Sequence, residues 1–258
     1  MSAAVLLECQ ELVVTIADTQ VCNGLNLQIR AGECWAILGR NGVGKSTLLH
    51  TLAGLQTPQH GTVMLRGEQL STLSRRTSAQ QVGVLLQDYT DIFASDVLQT
   101  ALMGRHPYLH PWQWETSQDL QRARNALGLL DIAKLEQRDL NTLSGGERRR
   151  AHLATLLTQD PAIYLLDEPT NHLDVRHQIR TFELLRNLTN RNGKALVATL
   201  HDVNLAARFC DHALLLFGNG VTLHGATIEV LNESNLARLL QHPMEQVATP
   251  HGKMFIPG

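Results

Sequence analysis

Four short, almost uninterrupted apolar runs organise the chain, at residues 34–38, 82–86, 162–166 and 195–200. Hydrophobicity that is continuous rather than alternating predicts strands buried on both faces, as in a parallel sheet covered by helices. Each run is followed by polar or small residues: Gly39, Gln87, Asp167 and His201. Open α/β sheets bind their ligands at such C-terminal strand ends. After the first run, Leu48, Leu49, Leu52 and Leu55 recur at helical spacing. Ahead of it, strand-like runs at 5–7, 12–16 and 25–29 predict an antiparallel edge sheet. Between residue 87 and about residue 161 the pattern becomes helical, over 97–103, 117–130 and 146–159, which predicts an inserted helical lobe. Runs at 213–217 and 221–224 flank Gly218-Asn219-Gly220, a hairpin signal. The tail holds one helix, about 235–241, and a Pro/Gly-rich end at 250–258. The pattern divides the single unit into a core (1–87 and 160–225), a helical lobe (88–159) and a tail (226–258).

Composition excludes more than it selects. In 258 residues, a net charge of −2 argues against a dedicated nucleic-acid binder, which carries a basic face. Cys9, Cys22, Cys34 and Cys210 form no CxxC pair and read as reduced cysteines of a cytosolic protein. His106 and His110 stand four apart, but Pro107 disfavours a helix there, so they are discounted as a metal site. We see no signal peptide. No apolar run approaches the roughly 18 residues a membrane span needs, so a membrane-spanning partner would be a separate chain.

The chemistry begins where the first run stops. Gly39-Arg40-Asn41-Gly42-Val43-Gly44-Lys45-Ser46-Thr47 places a glycine loop between a strand and a helix. The glycines let backbone N–H groups wrap a phosphate at the helix start. Lys45 would reach the β- and γ-phosphates, and the Ser46 hydroxyl would ligate Mg²⁺. A second helix start, Leu143-Ser144-Gly145-Gly146-Glu147, also seeks anions. It is equally a capping box, Ser144 with Glu147, and the two readings coexist. Arg148, Arg149 and Arg150 follow; such a triplet can suggest nucleic acid, but with nothing else basic nearby it reads as a solvated helix face. The third run ends in Asp167-Glu168. Asp167 is placed to hold Mg²⁺ through water, and Glu168 to polarise a water aligned with the γ-phosphorus. Residues 171–174 resemble a guanine-reading NKxD element but lack its lysine, so a GTPase is rejected. Gln87 can touch Mg²⁺ or water, and His201, at a fourth strand end, the γ-phosphate.

In this order the elements resemble the nucleotide-binding subunit of an ATP-binding cassette (ABC) transporter, over nearly the whole chain. The resemblance implies an α/β, P-loop NTPase (RecA-like) parallel core sheet with an N-terminal antiparallel sheet and an inserted α-helical subdomain. Gly39, Asn41, Gly42, Gly44, Lys45, Ser46 and Thr47 match the Walker A socket, and Gln87 the Q-loop. Residues 143–147 match the signature, 163–168 Walker B, 170–174 the D-loop, and His201 the switch histidine. The implied cofactors are ATP and Mg²⁺, the metal being met by Ser46, Gln87 and Asp167, with Glu168, His201 and Gln87 catalytic. Two copies would pair head to tail. Ser144, Gly145, Gly146 and Glu147 would then serve the partner's ATP, with Asp174 at the seam.

One departure concerns the base. The family stacks adenine on an aromatic ring, but no Tyr, Phe or Trp occurs between residues 1 and 30. The segment around residues 18–27 aligns Ile16 there, so apolar contact from Ile16 and Val21 would replace stacking. Residues 104–107, residues 200–208 and the short tail resemble importers of large metal chelates: cobalamin, ferric siderophores or haem. Trp112-Gln113-Trp114 and residues 170–174 favour cobalamin among them. Residues 88–111 would receive a short helix of a transmembrane permease, through Tyr89, Ile92 and Phe93, unless these three belong to the lobe's core. The chain would be peripheral, on the cytoplasmic face of the inner (plasma) membrane, meeting a periplasmic or surface substrate-binding protein only indirectly. Two alternatives are an exporter's ATPase and a soluble ABC-type ATPase acting on nucleic acid or ribosomes. The soluble class carries a long coiled coil, a second cassette or a basic linker, none of which this sequence contains.

Overall fold

The computed structural model describes residues 3–17, 19–87, 95–249 and 252–258, at 191 and 192 the backbone only. Strands β1 (Val5–Ile16), β2 (Thr19–Arg30) and β3 (Cys34–Gly39) lead into helix α1 (Lys45–Leu52). β4 (His60–Leu65), β5 (Glu68–Gln69), α2 (Arg75–Gln81) and β6 (Val82–Leu85) follow. Helices α3 (Val97–Leu102), α4 (Ser117–Leu129) and α5 (Gly145–Gln159) precede β7 (Ile163–Asp167). Then come α6 (Val175–Asn192), β8 (Ala195–Leu200), α7 (Val203–Phe209), β9 (His212–Gly218) and β10 (Val221–Ala226). The chain continues through α8 (Thr227–Val230), α9 (Glu233–Leu240), β11 (Met244–Thr249) and β12 (Gly252–Pro257).

The central sheet runs β10-β9-β3-β8-β7-β6, parallel throughout except for β10 at one edge. Side-chain alternation along β3 separates two cores. Cys34, Ala36 and Leu38 join the larger cluster, with the helical lobe, α6 and α7. Trp35 and Ile37 join the other, with α1 and the antiparallel sheet β2-β1-β4-β5. Both faces are therefore covered, which is why the strands read as continuous apolar runs. Phe182 of α6 stacks on Phe209 of α7, with ring centroids 5.2 Å apart, a contact that typically adds about 0.5–1.5 kcal/mol beyond burial.

Several expectations are revised. The runs at 5–7 and 12–16 are one strand, β1, whose pairing with β2 shifts register around Glu11 (φ 47°). β4 and β5 complete that sheet, although the apolar pattern does not announce them. The arm at 213–217 is the fifth parallel strand of the central sheet as well as half of a hairpin, turned by Asn219 (φ 52°) and Gly220 (φ 76°). Leu55 lies beyond α1 and is exposed. The Pro/Gly-rich end forms a strand, β12, paired with β11. The side chain of Asn204 in α7 holds this hairpin, donating to Phe255 O (3.1 Å) and accepting from Phe255 N–H (2.8 Å). Tyr89, Ile92 and Phe93, like Asp18 and Pro250, lie outside the described residues. Among the described residues, no helix is long and apolar enough to cross a membrane.

Candidate functional site

The phosphate socket is built by β3 stopping and α1 starting. Gly44 caps α1 in the left-handed region (φ 100°), and no side chain bonds the first helical N–H groups. A Cβ at Gly44 would sit 2.3 Å from Val21 Cγ2, so both backbone conformation and space require glycine. The uncapped first turn points unsatisfied N–H groups at whatever the loop encloses. Lys45 Nζ donates to Gly39 O (2.9 Å) and Arg40 O (3.2 Å), across the mouth of the loop. Burial pushes its ammonium below the ordinary lysine range, and the charges of Glu168 and Asp167 oppose that shift. Asn41 and Gly42 are exposed, Ser46 is half-buried, and Thr47 is buried with its carbonyl accepting from Thr51 Oγ1 (2.8 Å).

The acidic strand end is held by Thr199, Gln87, Asn171 and His201. Thr199 Oγ1 donates to Asp167 Oδ1 (2.6 Å) and accepts from Glu168 N–H (2.9 Å). Asp167 Oδ2 is buried without a hydrogen-bond partner, 3.9 Å from His50 Nε2. A carboxylate oxygen left in that state is a fitting ligand for a hard divalent cation or its water, and the Ser46 hydroxyl supplies a second oxygen of the same kind. Glu168 has φ 47°, a strained region for a non-glycine residue. Its carboxylate accepts from Gln87 Nε2 (3.3 Å) and from Asn171 Nδ2, and lies 2.5 Å from His201 Nε2. Gln87, Glu168 and His201 thus meet at one point, from three separate strand ends.

At the signature, Ser144 and Glu147 form the capping box. Glu147 N–H donates to Ser144 Oγ (3.3 Å), and Ser144 N–H donates to Glu147 Oε2 (2.9 Å). That backbone bond, first among the causes, holds the Glu147 carboxyl below the usual glutamate range. Gly146 packs on the D-loop, since a Cβ there would stand 2.9 Å from His172 O. The cleft beside Ser144, Gly145 and Gly146 is lined by His172, Leu173 and Asp174 and by no residue of the socket. Asp174 caps α6 and accepts from His177 N–H (2.8 Å), which lowers its carboxyl below the ordinary value. The structure therefore groups the signature with the D-loop and the socket with the acidic strand, and Asn171 of the D-loop links the two groups through the Glu168 carboxylate.

Two expectations need correcting. Arg149 is buried, with 5% exposure, and is not part of a solvated face. Val21 is fully buried beneath Gly44 and offers no surface to a base, whereas Ile16 remains half-exposed at the end of β1. The motif reading gives Arg149 and Thr199 no role at the site, and Asn171 only a place in the D-loop; all three act on the acidic segment through side-chain bonds.

A family model described as "ABC transporter" matches residues 22–171. The cobalamin import ATP-binding protein BtuD of Halobacterium salinarum is 38% identical over 89% of this chain, which spans only 57% of that relative's length. The petrobactin import ATP-binding protein FpuD of Bacillus anthracis is 36% identical, covering 96% of this chain and 94% of its own. The ferric enterobactin transport ATP-binding protein FepC of Escherichia coli is 36% identical, covering 89% and 85%. Among solved structures, an inward-facing conformation of a proposed metal-chelate type ABC transporter superposes with a TM-score of 0.85. It shares 29% identity over 98% of both chains.

Proposed function

The chain belongs to the ABC transporter family, and from that premise we propose that it is the ATP-hydrolysing subunit of an importer of a metal chelate. One observation carries the catalytic half of this reading. The Glu168 carboxylate is gathered with Gln87, Asn171 and His201 at the end of the acidic strand, in the field of Lys45.

In this reading the N–H groups of the Gly39–Thr47 segment and the Lys45 ammonium bind the β- and γ-phosphates of ATP. Ser46, Gln87 and Asp167 would hold a Mg²⁺ ion, which neutralises charge on those phosphates when bound. Glu168 orients and polarises the attacking water, and His201, against its other oxygen, faces the γ-phosphate. Gln87, bonded to Glu168, keeps that carboxylate aimed. Ile16, half-exposed, covers the adenine by apolar contact alone. Ser144, Gly145, Gly146 and Glu147 serve the ATP of a second copy, with Asp174 at the seam. Their separation from the socket within one chain favours that arrangement. The core (1–87 and 160–225), lobe (88–159) and tail (226–258) act as one unit on the cytoplasmic face of the membrane. A separate transmembrane permease is the partner, and a substrate-binding protein is met only through it. Relatives named for cobalamin, petrobactin and ferric enterobactin support a chelate cargo. With Arg149 buried, the basic triplet offers nucleic acid one cation fewer.

The test is Glu168→Gln, which keeps size and hydrogen bonding but removes the base. ATP should still bind, and size-exclusion chromatography with ATP and Mg²⁺ should find a locked dimer that does not hydrolyse. A monomer with normal turnover would refute the assignment.

A further inference from the structure

We propose that Arg149 is a positioning residue for hydrolysis, tying the signature helix to both strand ends that carry the catalytic groups. This rests on the ATPase reading above. β6 and β7 are neighbouring parallel strands whose pairing ends at Leu85↔Leu166. Just beyond that point the Arg149 guanidinium bridges the two strands. Nη1 donates to Leu86 O (2.5 Å) and Gln87 O (3.2 Å), and Nη2 to Asp167 O and Glu168 O (2.9 Å). Those four carbonyls are the ones of Gln87 and Glu168 and of the residues immediately before them.

A planar fork with fixed donors suits this task, and a flexible ammonium would not span both strands. The charge is buried, so it persists only while such bonds satisfy it. The left-handed Glu168 is gripped on both sides, by Thr199 Oγ1 on its N–H and by Arg149 on its carbonyl. Strained conformations survive where the surroundings over-determine them. Arg149 also sits within the first two turns of α5, the helix whose N-terminus is Ser144-Gly145-Gly146. A displacement of the Gln87 or Glu168 segment therefore bears directly on the helix that presents the signature to the second copy. The clamp does not touch nucleotide, so its loss should fall on turnover rather than binding.

Arg149→Gln and Arg149→Lys in the full chain test this, with steady-state hydrolysis of ATP and hydrogen–deuterium exchange. Arg149→Gln should lower kcat at least about tenfold while KM moves less than about threefold, because a small misplacement of catalytic groups costs rate first. Arg149→Lys should recover part of the loss. Exchange should quicken in 82–87 and 163–171, and stay unchanged in β8 and β9. A folded Arg149→Gln with kcat within about twofold of the original overturns the proposal. Faster exchange throughout, with ATP binding lost, also overturns it, since Arg149 would then be structural only. If Arg149→Gln does not fold, Arg149→Lys decides: lower kcat at unchanged KM supports the clamp, and unchanged kcat refutes it. A native chain inert towards ATP would remove the ATPase reading, and exchange alone would then judge the clamp.

Discussion

The two helix starts of this molecule, α1 and α5, look alike in sequence and differ in what fills them. α1 follows a glycine-containing turn and α5 opens on two glycines, and both present the positive end of a helix dipole. At α1 the cap is Gly44, and no acidic residue occupies the first turn. At α5 the cap is Ser144, whose N–H and hydroxyl both reach the Glu147 carboxylate. At α5 the Glu147 carboxylate already engages the Ser144 donors, whereas at α1 no first-turn carboxylate does so. A helix start with glycines is therefore not enough to mark a phosphate socket. The cap residue and the charge in the first turn decide whether the donors are already engaged.

Three substitutions probe that contrast. The largest effect belongs to Lys45→Ala, which removes the buried cation of the open start; ATP turnover should fall about 10²–10³-fold, the scale for losing one preorganised donor. Near-normal turnover would mean the loop does not hold phosphate. Gly146→Ala comes next. Its Cβ would press His172 O, so the D-loop backbone must shift, and turnover should drop about tenfold. ATP affinity measured by titration calorimetry should stay within about twofold, because the variant's own socket is untouched. Equal losses of affinity and turnover would place the signature at its own chain's nucleotide. Ser144→Ala is the mildest. It unmakes the capping box at a cost of about 1 kcal/mol, seen as a thermal midpoint lower by about 2–4 °C. The Glu147 carboxyl is depressed in the fold, so its contribution is present above the unfolded pKa and fades as pH falls through the folded value. The variant and the native chain should therefore converge in acid, and a gap that persists there would assign the loss to something other than the box.

The contrast also explains what a linear reading could reach. The phosphate socket is local: strand, turn and helix contribute consecutive residues, and their order is written in the chain. The continuous runs likewise announced buried parallel strands, because a sheet covered on both faces imposes that pattern. β4 was not legible, because it acquires its partner only when β1 folds across it. The long helix α6 does carry a signal, an Asp174 cap with Ile179, Phe182 and Leu185 three apart, among many polar residues. Arg149 and Thr199 were hidden for a different reason. They act on backbone atoms 18 to 63 residues away, and nothing in local periodicity says whether an arginine in a basic triplet faces water or carbonyl oxygens. Ile16 could be placed by alignment, but the burial of Val21 follows from the loop folding over it.

The paired bonds between Asn204 and the Phe255 backbone give the far end of the chain an unexpected use. Asn204 stands three residues after His201, so the terminal hairpin is mechanically a pointer fixed to the arm that carries the histidine. A dye or spin label on exposed Lys253 would ride on that pointer, and would report from the outer surface on a movement that begins beside the γ-phosphate.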